Sequence, residues 1–196
     1  MRKPLAMAIF LAIFFCLAAC GEPAPPPAPQ SMIYSGCVAG EWFSEELPEG
    51  ARGSEIDPGT LRVGRTYDGK DIFALLRVAV PADIDISLVR EAWLCLKIAE
   101  NNGGSALLVG AVTQPWDGGI TREGARALVG PLEPARQALA PEGWLQVDIT
   151  EHVKAWSGGE PGLALFEGNG STETVFDADG GGEYRPRLEL ILDTQK

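Results

Sequence analysis

One histidine, 27 carboxylates and four thiols make up the reactive inventory of this chain. His152 stands between Glu151 and Val153 with no nucleophile motif beside it, so a Ser–His–Asp or Cys–His set has no members to assemble. Its expected role is a solvated or helix-capping surface residue. Paired carboxylates can serve a glycosidase, but no spacing singles out a pair. No Gly-rich phosphate loop follows a strand and opens a helix, and no Cys/His cluster has zinc-site spacing. The chain is therefore read as non-catalytic and without a cofactor, calcium excepted. Calcium takes several oxygens, and a Gly-rich turn lets backbone carbonyls join carboxylates. Asp177-Ala178-Asp179-Gly180 with Glu183 is the best such set, although Gly181 stands where a third alternating ligand would come. The alternative is a polar hairpin loop. Flat aromatic rings can hold the C–H faces of sugars. Trp116 beside Asp117, Tyr67, Tyr184 and Trp42 are the rings expected to face solvent.

The elements that position these residues begin with an export signal. Met-Arg-Lys, an apolar run over residues 5–15 and Leu17-Ala18-Ala19-Cys20 give a basic start, a short apolar core and small residues before a cut site. A spanning helix needs ~20 apolar residues, and this run is shorter. Cysteine directly after the small residues resembles the lipobox of bacterial lipoproteins; an ordinary secretory signal cut nearby is the alternative. The resemblance implies cleavage before Cys20, acylation of Cys20 and a lipid bilayer as the first partner. Gly21 follows instead of Asp, the residue that resembles an inner-membrane retention signal, so the outer membrane is favoured in a cell with two membranes.

Removing residues 1–19 leaves 27 acidic side chains against 14 basic ones, a formal charge of −13. Such a surface repels nucleic acid and anionic headgroups. Of the later cysteines, Cys37 and Cys95 form an even pair in an exported chain, which predicts a disulfide. Two buried free thiols are the alternative. Residues 20–30 hold the lipidated cysteine and a Pro-rich linker that favours a stiff, extended spacer of ~3.1 Å per residue.

From residue 31 to 196 the pattern is β. Residues 72–80 are rich in apolar and β-branched types and stop at Pro81. In residues 86–99, Ala92, Leu94, Leu96 and Ile98 recur at period two, with Trp93, Cys95 and Lys97 opposite. Further strands are expected over 106–112, 144–149, 163–167, 172–176 and 187–192, separated by Gly-rich turns. A short helix is expected at 151–156, capped by the Thr150 hydroxyl, with Val153 and Trp156 packing on a sheet. Residues 123–140 read as a long connection with one turn of helix. The sum predicts an all-β, jelly-roll-like antiparallel sandwich of about 8–10 strands. If Cys37 bonds Cys95, residues 34–43 lie over Trp93 and bury it.

Several segments resemble the DNRLRE family of β-sandwich domains, which is grouped with carbohydrate-binding modules. They are Leu61-Arg62-Val63-Gly64-Arg65, Leu75-Leu76-Arg77-Val78, Ala92-Trp93-Leu94-Cys95-Leu96 and Gln114-Pro115-Trp116-Asp117 with Ile120-Thr121. The most specific is Trp144-x-x-Val147-Asp148-Ile149-Thr150-x-x-Val153-x-x-Trp156, followed by Pro161-Gly162-Leu163-Ala164-Leu165 and, at the end, Pro186-Arg187-Leu188-Glu189-Leu190. The likeness covers about residues 33–193. It implies a glycan-binding module; with the lipobox the expected function is a non-catalytic, membrane-anchored envelope lipoprotein, and the solvent-facing rings Trp116, Tyr184 and Tyr67 with Asp117 are the candidate ligand contacts. A structural lipoprotein docking on another envelope protein is the second expectation, and a glycan-active enzyme the third.

Overall fold

The chain is described by a computed structural model over residues 28–35, 37–48, 51–101, 106–156, 162–169, 173–178 and 183–193. Cys20, the export signal, the linker up to residue 27 and Asp179 lie outside the described residues. Among the described residues no helix is long and apolar enough to cross a membrane.

The alternation expected around residue 94 becomes the central strand of an all-β sandwich. Twelve strands are described: β1 (Gln30–Ser35), β2 (Val38–Phe43), β3 (Thr60–Arg65), β4 (Asp71–Val78), β5 (Val89–Asn101) and β6 (Leu107–Val112), then β7 (Val129–Pro134), β8 (Gln137–Ala140), β9 (Trp144–Asp148), β10 (Gly162–Glu167), β11 (Thr174–Asp177) and β12 (Arg187–Leu192). Three short helices join them: α1 (Gly53–Ile56), α2 (Arg122–Ala127) and α3 (Thr150–Ala155). The expected class holds, with more strands and helices than the sequence pattern revealed.

All described pairings are antiparallel. In the first layer one edge of β5 pairs β12 over its first half and β11 over its second, while the other edge pairs β9, which pairs β8. β1 lies outside β12, and β3 outside β11. The second layer runs β2-β4-β10-β6-β7. The β3–β4 hairpin links the layers through Gly64↔Ile72 and Arg65↔Asp71.

Leu61, Leu76, Leu94, Leu96, Val147, Leu165, Phe176 and Leu188 fill the space between the layers. A second apolar cluster lies on the far side of the second layer, where Phe73 stacks between Phe43 at 5.3 Å and Phe166 at 4.8 Å. This accounts for the unbroken apolar run of β4. Ile72, Ala74 and Leu76 face one cluster while Phe73 and Leu75 face the other, so neither side alternates with solvent.

Residues 123–140 do more than connect. Thr121 caps α2 by accepting the Gly124 amide at 3.1 Å. β7 and β8 follow, and Pro131 and Pro134 are tolerated because β7 is an edge strand whose outer amides need no partner. In α3, Val153 and Trp156 are buried on the inter-layer core as expected. Thr150 does not cap that helix, since Ile149 holds the cap position. Its hydroxyl instead accepts the Ala92 amide at 2.9 Å and donates to Asp148 Oδ1 at 2.6 Å, bracing α3 against β5.

Candidate functional site

The residues of β5 that alternate with Leu94 and Leu96 point away from the core, and their neighbours on β9 and β12 do the same. Register sets Trp93 beside Asp148 and Glu189, Cys95 beside Gln146 and Arg187, and Lys97 beside Trp144. The result is an outward face of aromatic rings, each stacked with a cation. The Arg136 guanidinium lies 4.5 Å from the Trp93 ring centre, Arg187 lies 4.0 Å from Trp144, and Lys97 Nζ lies 5.2 Å from Tyr184. Most polar groups between the rings are paired, while Arg187 Nε is buried without a hydrogen-bond partner. Trp93 Nε1 donates to Glu91 at 3.1 Å, Gln146 Nε2 to Glu189 at 3.1 Å, and Ser31 Oγ to the other Glu189 oxygen at 2.7 Å.

Beside Trp93 the face opens into a cleft of about 460 Å³. Arg136 belongs to both, covering the indole and lining the cleft with Arg90, Glu91, Glu133, Asp148 and His152. Its Nε donates to Asp148 Oδ2 at 2.9 Å. Burial alone would raise the Asp148 pKa, but hydrogen bonds from the Thr150 hydroxyl and amide, with Arg136 beside them, outweigh it and hold the carboxyl below its ordinary value. His152 is half-buried here, not the solvated residue the sequence suggested. Burial lowers its pKa against the opposing pull of Glu133 and Glu151, so the imidazole is mostly neutral at pH 7. The cleft thus presents donors and acceptors of both signs. A second cleft of about 500 Å³, between residues 44–51 and the start of α2, has no aromatic lining residue.

The four candidate ligand contacts do not converge. Trp116, expected to face solvent, is buried in the second apolar cluster. Its ring packs on Gly162, the Arg77 guanidinium lies 4.8 Å from its centre, and its carbonyl accepts from Arg77. The reason is the connection 113–128, which folds back over the second layer and turns Trp116 inward. Trp42 is also buried, under Arg62 and against Gly53. Asp117 is exposed and accepts the Gly119 amide at 3.0 Å. Tyr67 is wholly exposed at the β3–β4 turn. Tyr184 alone joins the outward face of β5, where it is 41% exposed.

Asp177 ends β11 half-buried and Glu183 is exposed before β12, while Asp179 lies outside the described residues. Among the described residues no group of three or more His, Cys, Asp or Glu is placed to hold a metal ion.

The expected Cys37–Cys95 disulfide is not formed, and both thiols are free. Cys37 packs on the inter-layer core and its Sγ donates to the Tyr34 carbonyl at 3.2 Å. Cys95 is buried on the outward face near Glu189 and Gln146. They lie on opposite faces of the first layer, Cys37 toward the inter-layer core and Cys95 away from it. Burial raises the pKa of both thiols, and Glu189 raises that of Cys95 further.

The consequence reaches Trp93. The described residues of 34–43 do not cover it, because β1 pairs β12 and β2 pairs β4 in the other layer, and the indole is left half-buried under Arg136. Sequence reasoning missed Arg136 and Asp148 as cleft residues, and it weighed Trp93 as a ring for sugars only to set it beneath residues 34–43. Their one legible signal was the period-two parity that set Trp93 opposite Leu94. No protein-family model matches this chain, and no curated protein matches it either.

Proposed function

We propose that this chain is an exported, non-catalytic lipoprotein anchored through acylated Cys20, favouring the outer membrane where there are two, whose sandwich binds a neutral glycan at the Trp93 face. The observation that carries the reading is a half-buried indole, its N–H already satisfied, stacked under Arg136, which also lines a neighbouring cleft of donors and acceptors. Sugar hydroxyls donate and accept at once, which suits that mixture. The Arg136 side chain is 62% exposed, so a pyranose ring taking its place on the indole gives up a surface cation–π contact of ~0.5–1 kcal/mol and loosens its pairs with Asp148 at 2.9 Å and Glu91 at 3.7 Å. The acidic balance of the chain disfavours anionic polymers. The DNRLRE resemblance adds support through the strand and helix residues quoted above.

Affinity electrophoresis of the chain through neutral and acidic polysaccharides, with and without calcium, tests this. Retardation by a neutral polymer is expected, weakened roughly tenfold in Trp93→Ala, the equivalent of ~1.4 kcal/mol. Migration unchanged by every polymer sinks the reading. A docking role on another envelope protein is the second reading, favoured by the exposed Met32 and Ile33 on β1. Capture of a defined envelope protein by cross-linking, without glycan retardation, would put it first.

A further inference from the structure

We propose that β1 is a self-association edge, at which two copies of this chain pair antiparallel about a two-fold axis through Ile33. This goes beyond glycan binding and does not depend on it. β1 pairs β12 along one side, from Gln30↔Leu192 to Ser35↔Arg187, and among the described residues no strand lies along its other side. That side offers unpaired amides and carbonyls, a template for another strand.

Other outer strands carry the usual guards. β7 contains Pro131, Glu133 and Pro134, and β8 is four residues long and runs into Pro141. β2 carries Glu41 and has α1 packed beside it. β1 has no guard. Its sequence, Gln-Ser-Met-Ile-Tyr-Ser, holds no charge and no proline in a chain of net charge −11. Ile33 is 54% exposed and Met32 37% exposed.

The occupant follows from the strand's own symmetry. A two-fold axis perpendicular to the sheet keeps outward faces together, so facing residues must share parity. The register through Ile33 sets Ile33 against Ile33, Ser31 against Ser35 and Met32 against Tyr34. Every facing pair is then small–small or apolar–apolar, with no charge opposite a charge. A charged partner strand would meet no complementary group on β1, whereas a second copy meets its own match. One strand pair buries less than the ~1,200 Å² of a stable interface, so the pairing is weak in dilute solution. Tethering to one membrane raises the local concentration and makes it productive.

Cysteine cross-linking of the full chain on vesicles reads the register. Ile33 residues face each other directly, while Met32 residues are diagonal at ~7–8 Å, beyond disulfide reach. Copper-catalysed oxidation of Ile33→Cys should give roughly tenfold more disulfide dimer than Met32→Cys, which sits on the same exposed strand. Flotation of the same vesicles reports the anchor separately. Energy transfer between labelled copies on the same vesicles should exceed that of random mixing and should be lost in Ile33→Lys, which meets its own charge across the axis but an opposite one at Glu189, without a fall in melting temperature. Equal dimer yields from the two cysteine variants, or energy transfer between parent copies no greater than random mixing gives, overturns the proposal.

Discussion

Gly162→Ala tests whether Trp116 is packing or platform. Gly162 opens β10 beneath the indole, and an added Cβ would lie 2.4 Å and 2.6 Å from two ring carbons and 2.8 Å from the Leu76 carbonyl oxygen. The backbone itself accepts alanine, since Gly162 is not among the positive-φ glycines. The cost is therefore steric. The ring has little room to retreat, because it is buried in the second apolar cluster with the Arg77 guanidinium 4.8 Å from its centre. Overpacking costs ~1–3 kcal/mol, and contacts to a ring and to backbone put this case near the upper end. At ~2–4 °C per kcal/mol for a domain of this size, the variant should melt roughly 6–12 °C lower. Trp116→Ala alone should cost ~3–5 kcal/mol through the cavity it leaves. The double variant should cost less than the sum, by ~1–3 kcal/mol, because removing the indole removes the ring's part of the clash and leaves only that with the Leu76 carbonyl. Urea unfolding followed by circular dichroism gives all four free energies. Additive costs, or a Gly162→Ala chain as stable as the parent, would refute the packing and return Trp116 to the surface as a ring for ligands.

Two further outcomes concern the outward face. The depressed pKa of Asp148 means that its carboxylate stabilises the fold fully above its unfolded value of ~3.9, and that this stability is lost as pH falls through the lower folded value. Asp148→Asn should thus lose ~1–2 kcal/mol at pH 7, a gap that closes in acid; denaturation curves showing a constant gap from neutral pH into strong acid would contradict the Thr150–Arg136 arrangement. Alkylation under denaturing conditions without reductant, followed by peptide mass mapping, should find label on both Cys37 and Cys95, whereas in the native chain Cys95 should react only on unfolding. A linked Cys37–Cys95 peptide would refute the separation of the two thiols by the sheet.

The fold was legible where side-chain parity decides burial. β12 matches its expected bounds, and β5, β6, β9, β10 and α3 lie within a few residues of theirs. Parity says which residues share a face, however, and not what covers that face. Trp93 was expected beneath residues 34–43 and Trp116 in solvent, and both expectations failed for the same reason. The covering segments are assigned by long-range pairing, β1 to β12 and the connection 113–128 to the second layer. β7 and β8 were hidden by their prolines, which an edge strand tolerates and a sequence pattern reads as a break. Arg136 lies between those two strands, so its stacking on Trp93 was out of reach until they were placed.

The pairing of β1 with β12 also sets an order in time. Gln30 meets Leu192, so the first described strand closes on the last. The central strand waits as well, for β9, β11 and β12 all follow it in the chain. Contacts of such sequence separation form slowly, because a long loop must be closed before any of them is gained. A chain threaded through a translocation channel from its amino end could not complete this layer until residue 192 had emerged. If the chain is exported as proposed, its topology keeps it unfolded during passage, and the sandwich closes only on the far side of the membrane.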